Sequence, residues 1–587
     1  MPKLPDFLKL LDDRILVFDG AMGTNLHRYE PTDADWGGKE LVNCTEWMLY
    51  THPEWIFDIH KQFLEAGADA VETNTFGANR IALNEFGKAD HVEEINRKAV
   101  QIAREACLAY QSADKPRYVV GSIGPGTKSI TLGHISFDEL VEGYRTQART
   151  LIETGADVLL IETAFDLLNL KAVAIVCVEE MQKTGKKLPL MAQVTIERQG
   201  TMLAGTDIGG AMVTLEALPI DIIGINCATG PDLMVSHIRH LSDFGRRKIS
   251  CLPNAGLPEN IDGRAHFPLT PGELARALKQ FVVDYGVNIV GGCCGTTFEH
   301  VRQVAQAVQG LSPKARQITY EPSVSSLYQA QVLKQNPGPL IVGERTNTTG
   351  SRKFKKLLEA DDIEGMAAMA REQQDEGAHL LDVCVAYPGR DEVADMTKVL
   401  RRFNEAVRLP IVIDSTEWQV MAEGLKYITG KPFINSINLE EGRDKLDIVV
   451  PLAKKYGAAL VALTIDETGQ ATTCDWKFNV AKRIYDICVN EYGIEPTDLY
   501  FDPLTLPVST GQTELFNAAV ETLNSIKRIK AELPGAGTWL GLSNISFGLD
   551  PYVRQVVNSV FLKLALDVGM DAAILNASKI LPLNEID

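Results

Sequence analysis

"FDELVEGYRTQARTLIETGADVLLIET", residues 137–163, reads as a helix followed by a strand. Residues 137–155 space their apolar positions at helical intervals, and "VLLIET" (158–163) is a short apolar run that stops at an acid and a threonine. Runs of this second kind recur along the first half of the chain: "ILVFDG" (15–20), "AVETNTF" (70–76), "YVVGSIGP" (118–125), "LMAQVTI" (190–196), "IDIIGINC" (220–227), "ISCLPNAG" (249–256) and "VNIVGGCCG" (287–295). Eight βα units are the count of a closed barrel. After a Pro- and Ser-containing stretch with "KQNPGP", a second series begins: "LIVGERTN" (340–347), "LLDVCVAY" (380–387), "PIVIDST" (410–416), "FINSIN" (433–438), "ALVALTID" (459–466), "LYFDPLT" (499–505), "TWLGLSN" (538–544) and "AAILNAS" (572–578). That is eight again. The expectation is an α/β chain of two tandem (β/α)8 TIM barrels, 1–312 and 340–587, joined by a linker over 313–339. The near-continuous apolar character of the strands fits parallel strands covered on both faces.

Composition sets the partners. The chain has 587 residues, 45% hydrophobic and 23% charged, with a net charge of −19, which argues against a general affinity for nucleic acid or an anionic membrane. No apolar run reaches the length of about 20 residues that spans a bilayer, and the N-terminus is a poor secretory signal. Ten irregularly spaced cysteines fit a reducing cytoplasm, where clustered thiols serve as ligands or catalysts more often than as disulfides.

In such barrels the working groups stand at the C-terminal ends of strands. The first series ends in thiols, the second in carboxylates and amides. Cys293 and Cys294 are adjacent, which strains a disulfide and, in a regular strand, would point the two thiols to opposite faces; the flanking glycines let both turn toward one atom. Cys227, closing "GINC", falls two βα units earlier at about 30 residues a unit, so it ends a strand two places away on the same rim. Three thiolates without a fourth protein ligand describe a catalytic zinc site, which keeps a position open and would deprotonate a substrate thiol that enters it. Cys251 reads as a core residue.

"FDGAMGT", "IET", "GINC" and "GGCCGTT", in that order, resemble the zinc-dependent homocysteine S-methyltransferase family. The resemblance implies Cys227, Cys293 and Cys294 as zinc ligands, Asp19 and Glu162 as holders of the amino-acid end of homocysteine, and the backbone of Gly20, Ala21 and Met22 as the seat of its carboxylate. It also implies the Asn254 side-chain oxygen as a fourth zinc ligand when substrate is absent. The plainer alternative for Asp19 and Glu162 is hydrogen bonding along the rim.

"VGERTN", "LDV", "IDST", "INS", "FDP" and "GLSN" resemble the pterin-binding barrels of dihydropteroate synthase and the methyltetrahydrofolate methyltransferases. A pterin edge presents donors and acceptors that carboxylates and amides can match. The resemblance implies Glu344, Asn347, Asp382, Asp414, Asn435, Asp502 and Asn544 as folate-binding residues, with Asn544 catalytic near N5. Each acid taken singly could be a rim cap. Cys384, in "LDVCV", stands where many relatives carry Asn. The basic run "SRKFKK" (351–356) reads as a solvated helix face, with attraction of the folate glutamate tail as the alternative.

The two halves in this order resemble the N-terminal half of the cobalamin-dependent methionine synthase family. That implies a methyltransferase enzyme that makes methionine, passing methyl from 5-methyltetrahydrofolate to zinc-activated homocysteine through a corrinoid (cobalamin) carrier on another domain or chain. The D-x-H-x-x-G signature of a cobalamin module is not matched; "DIHKQF" (58–63) starts it and ends in Phe. The alternatives are a separate homocysteine S-methyltransferase and corrinoid-protein methyltransferase pair using another donor or carrier, and a non-catalytic folate-binding module.

Overall fold

The structure is a computed structural model that describes residues 4–112, 114–261, 264–509, 511–512 and 515–586. It divides into two units, Met1–Tyr320 and Glu321–Asp587. In the first, eight parallel strands run β1 (Leu16–Val17), β2 (Ala70–Glu72), β3 (Tyr118–Ile123), β4 (Val158–Ala164), β5 (Leu190–Val194), β6 (Ile222–Asn226), β7 (Lys248–Leu252) and β8 (Ile289–Val290). They lie in sequence order round the sheet; β1 pairs with β8, and the parallel bridge Phe18↔Ala70 joins β1 to β2. The ring is closed.

The helix Phe137–Thr154 shows why the sequence alternates as it does. It starts in a capping box, with Ser136 Oγ accepting from the Glu139 N–H and Glu139 Oε2 accepting from the Ser136 N–H, and it stops at Gly155 with φ +104°. Such a cap contributes about 1 kcal/mol. Leu140, Tyr144, Ala148 and Leu151, one stripe at spacings of three and four, are buried.

Inside the first barrel Leu16, Tyr118, Val120, Val158, Leu160, Met191 and Ile222 form a core with Phe7 and Leu11 of the helix Phe7–Asp13. Phe7 packs edge-on against Tyr118, the first residue of β3, at 5.1 Å between ring centroids. The N-terminal helix therefore plugs the end of the barrel where strands begin, leaving the other end for chemistry.

The second unit is a closed barrel of β9 (Leu340–Gly343), β10 (Leu380–Val383), β11 (Ile411–Asp414), β12 (Phe433–Ile437), β13 (Ala459–Leu463), β14 (Leu499–Asp502), β15 (Gly537–Gly541) and β16 (Ala572–Leu575). Its plug comes from the stretch expected to be a linker. Residues Ser323–Ser325 and Ala330–Val332 form an antiparallel hairpin, and Val324 and Leu333 pack with Leu340, Phe433, Tyr500 and Trp539 in the barrel core. The hairpin is pinned by Ser325 N–H to Lys431 O and Lys431 N–H to Ser325 Oγ; a Cβ on Gly430 would stand 2.0 Å from Ser325 O, so only glycine lets the backbones approach. Upstream, Arg316 donates to the carbonyls of Leu241, Gly245 and Arg247. The expected linker over 313–339 is thus packed chain on both sides of Tyr320. Its Pro, Ser and Gly content carries a linker signal, whereas tertiary contacts decide its order.

Candidate functional site

Each barrel carries a polar cluster at the C-terminal ends of its strands. In the first, β6 ends at Asn226 and the chain turns sharply: Cys227 has φ +61° and Ala228 φ +55°, a left-handed conformation that costs a residue with a Cβ on the order of 1 kcal/mol. After β8, Cys293 N–H donates to Pro253 O and Gly292 N–H to Asp19 O, which ties the β8 loop to its neighbours on both sides. A Cβ on Gly292 would lie 2.4 Å from Thr296 Cγ2, and Gly295 has φ +79°, so the glycines in "GGCCG" are required by close approach and by turn geometry respectively.

The result is that the sulfurs of Cys227, Cys293 and Cys294 lie within 4.8 Å of one another, with Cys227 Sγ and Cys294 Sγ 3.9 Å apart. All three are free thiols. Hydrogen bonds from Cys293 and Cys294 push the Cys227 thiol down to about 3, while hydrogen bonding to Cys227 pushes Cys294 up to about 12 and raises Cys293 well above the usual thiol range. One thiolate stabilised by two S–H donors is the sense of this pattern. Cys251 lies buried within β7, apart from the trio.

Beside the thiols lies a cavity of ≈ 280 Å³ lined by Gly20, Ala21, Met22, Glu72, Glu162 and the three cysteines, among others. Glu162 accepts from Ser122 Oγ at 2.5 Å and from Asn226 Nδ2 at 3.3 Å; Asn226 also exchanges hydrogen bonds with Thr163. Asp19 Oδ2 accepts from the Glu72 N–H. Burial pushes Glu162 up to about 7 and raises Asp19 and Glu72 well above the usual carboxylate range, with the like charges adding to the rise in Asp19 and Glu72. Asp19 Oδ1 and Glu72 Oε1 are buried without a hydrogen-bond partner among the described residues. Glu72 is missed by the sequence reading because the run "AVETNTF" continues to residue 76, whereas β2 stops at Glu72. Thr73 and Asn74, beyond it, are spent on Thr75 Oγ1 and Thr45 O.

Asn254, expected as an oxygen ligand when substrate is absent, stands against the cysteine trio. Its Oδ1 accepts from the Cys294 N–H at 3.1 Å, and its side chain also donates to the Cys227 sulfur. The oxygen is engaged in holding the second cysteine's backbone.

The second mouth is made of paired amides and acids. Asn347 Nδ2 donates to Asp382 Oδ2 and to Asp414 Oδ2, both at 2.8 Å. Asn435 stands in register with Asp414 on the adjacent strand and hydrogen-bonds Asp382. Asp502, at the end of β14, accepts from the N–H groups of Leu504 (2.8 Å) and Gly541 (3.1 Å). The Asn544 side chain lies directly over Gly541: its Nδ2 would be 2.9 Å from a Cβ there, and Asp502 Oδ2 3.8 Å. Glu344 is hydrogen-bonded by Ser543 beside Arg554, and burial raises it. Burial also pushes Asp382 and Asp502 up to about 6 and raises Asp414 well above the usual carboxylate range. Asp466, another strand-end acid, is turned to Trp476 Nε1 and the Thr468 N–H. Cys384 is buried, with Thr348 Oγ1 3.9 Å from its sulfur; it packs.

These features define a class: paired (β/α)8 barrels, one with a trithiol rim, the other with a carboxylate and amide rim. Residues 16–308 match the family model for homocysteine S-methyltransferase and residues 343–576 that for pterin-binding enzymes. The chain is 45% identical over 584 residues to the methionine synthase of Mycobacterium tuberculosis and 44% identical over 589 residues to that of Mycobacterium leprae, in each case covering 99% of this chain and 49% of the relative. The chain thus spans about half the length of these curated relatives. Among solved structures, the oxidised Escherichia coli homocysteine methyltransferase MmuM is similar over 50% of this chain and 95% of its own, at 24% identity and TM-score 0.42; a Xanthomonas albilineans dihydropteroate synthase covers 44% and 93%, at 18% identity and TM-score 0.34. No helix among the described residues is long and apolar enough to cross a membrane.

Proposed function

We propose that the chain carries the two substrate-binding barrels of a cobalamin-dependent methionine synthase: a homocysteine barrel over 1–312 and a 5-methyltetrahydrofolate barrel over 340–587. The observation that carries this reading is the convergence of Cys227, Cys293 and Cys294 within 4.8 Å beside a cavity that also holds buried acids. The methyl relay is a corrinoid borne by another domain or chain.

Three soft donors converging within 4.8 Å fit zinc. Cys227, Cys293 and Cys294 would hold it, and its chemistry would be to keep a substrate thiol ionised near neutral pH while leaving the sulfur nucleophilic. Homocysteine is a zwitterion. Its ammonium matches Glu72 and Glu162, which line the cavity, with Asp19, bonded to the Glu72 N–H, adding a further unpartnered oxygen beside them; arrival of that charge would pull their raised titrations down. Its carboxylate would face the N–H groups of Gly20 to Met22. Asn226 links the two ends, since it bonds Glu162 and stands next to Cys227.

In the second mouth the pterin edge would lie among Asp382, Asp414, Asn435 and Asp502, with Asn347 and Glu344 at the first strand end. Asn347 shares its amide between two acids and so keeps both aimed inward. Asn544, over Gly541 and beside Asp502, is the candidate for contact near N5, where a preorganised polar group stabilises charge developing on the leaving nitrogen. The free cysteines are consistent with a cytoplasmic setting.

The test supplies each half-reaction separately: methylcobalamin with homocysteine, and cob(I)alamin with 5-methyltetrahydrofolate, using zinc-replete chain. Both are expected to run. If neither does, the reading fails; if replacing Cys227 with Ala stops only the folate half, the assignment of barrels is wrong.

A further inference from the structure

Lys477 is wholly buried, on the helix Cys474–Tyr485. Lysine is almost never fully buried unless paired, and an ammonium out of water must be compensated by acceptors. Here they are main-chain carbonyls: Nζ donates to Pro503 O and, at 3.2 Å, to Leu504 O. Leu504 O takes a second hydrogen bond from Thr522 Oγ1, at 2.9 Å, on the helix Ala518–Glu532. Two helices thus grip one turn.

That turn is the exit of β14, and it is strained. Leu504 has φ +61°, a conformation a leucine adopts only where its surroundings impose it. In that conformation its N–H donates to Asp502 Oδ1 at 2.8 Å, while the Gly541 N–H holds Oδ2. The path is short: ammonium to carbonyls, carbonyls to a forced backbone, backbone N–H to the carboxylate.

We propose that Lys477 is a positioning residue of the second mouth, fixing the Pro503–Leu504 turn and through it the orientation and charge of the Asp502 carboxylate that receives the pterin. This rests on the pterin reading of that barrel. The titratable groups that face Lys477 are Asp502, Glu521 and Cys474, and burial lowers the lysine to about 8 against their pull. For Asp502, Lys477 acts with the two N–H donors against burial. A lysine that merely tied helix to loop would contribute stability and leave the titration of Asp502 alone.

The discriminating measurement is calorimetric binding of 5-methyltetrahydrofolate from pH 5 to 9. Wild-type affinity should fall below a midpoint near the Asp502 value of about 6. In Lys477→Met the midpoint should move up by about one unit, with affinity about twofold lower at pH 7 and about tenfold lower at pH 5; Lys477→Arg should restore the wild-type midpoint. In an Asp502→Asn background, Lys477→Met should cost nothing more. Should Lys477→Met not fold, Thr522→Val removes the other donor to Leu504 O and should give a smaller loss that likewise vanishes with Asp502→Asn. An unshifted midpoint, or a loss that persists in the Asp502→Asn background, overturns the proposal. A wild-type chain that binds no 5-methyltetrahydrofolate at any pH sinks the pterin reading itself, which is a separate failure.

Discussion

The two mouths stand on the same scaffold, yet they solve opposite problems. The first gathers sulfurs from two loops, after β6 and β8, and aims them at one point; next to them it leaves carboxylate oxygens of Asp19 and Glu72 without partners among the described residues. The second spreads acids and amides across β10, β11, β12, β14 and β15, and most of their bonds are already made: Asn347 to two acids, Asp502 to two N–H groups. A cluster of soft donors suits a single metal atom, whereas a dispersed and preorganised set of hydrogen-bonding groups suits the edge of a flat ring. The difference teaches that barrel geometry supplies positions, while the residue types at strand ends choose between metal chemistry and hydrogen-bond recognition.

The largest expected effect separates the mouths outright. Cys293→Ala should lower bound zinc from about one per chain to near none and slow the homocysteine half-reaction by at least about a hundredfold, with 5-methyltetrahydrofolate binding unchanged; metal analysis alongside calorimetry checks it. Loss of folate binding as well would mean that the mouths are not independent. Next comes Glu72→Gln, which removes a charge from the acid cluster without touching sulfur. The KM for homocysteine should rise about tenfold while zinc content stays at the wild-type level, and a fall in zinc instead would place Glu72 in the metal's support.

The smallest effect is one of stability. Asp382 is raised by burial from 3.8 to about 6, so the folded state holds its proton more tightly than the unfolded chain does. Its stabilising contribution is complete below about pH 4 and is lost as pH rises through 6. Asp382→Asn should therefore raise Tm at pH 8 by a few degrees, about 2–4 °C for each kcal/mol recovered, with the gain shrinking toward pH 4. A gain independent of pH would show that packing, not ionisation, is what the substitution changed.

Much of this was legible in the residues. The alternation of apolar runs and helical stripes announces two barrels because parallel strands buried on both faces must be continuously apolar, and the runs end where polar groups emerge. Cys227, Cys293 and Cys294 could be brought together on paper because strand count fixes position on a ring. Glu72 could not, since register alone decides that β2 stops at residue 72 rather than further along the run. Asn254 was legible as a rim residue, but the direction of its amide depends on the Cys294 N–H opposite it. The hairpin at 323–332 carried too few apolar residues to stand out; its order comes from Phe433, Tyr500 and Trp539 waiting at the barrel floor.

What the amino-acid order determined by itself was therefore the periodic and the local: which segments are strands, which face helices bury, and which chemical groups stand at each rim. Only the tertiary structure decided distances between groups remote in sequence, such as three sulfurs within 4.8 Å, and the environment that sets their charge. The physical reason is that propensity and periodicity act over a few neighbouring residues, whereas desolvation and hydrogen-bond pairing in a closed ring depend on what every other strand brings to the same few ångströms.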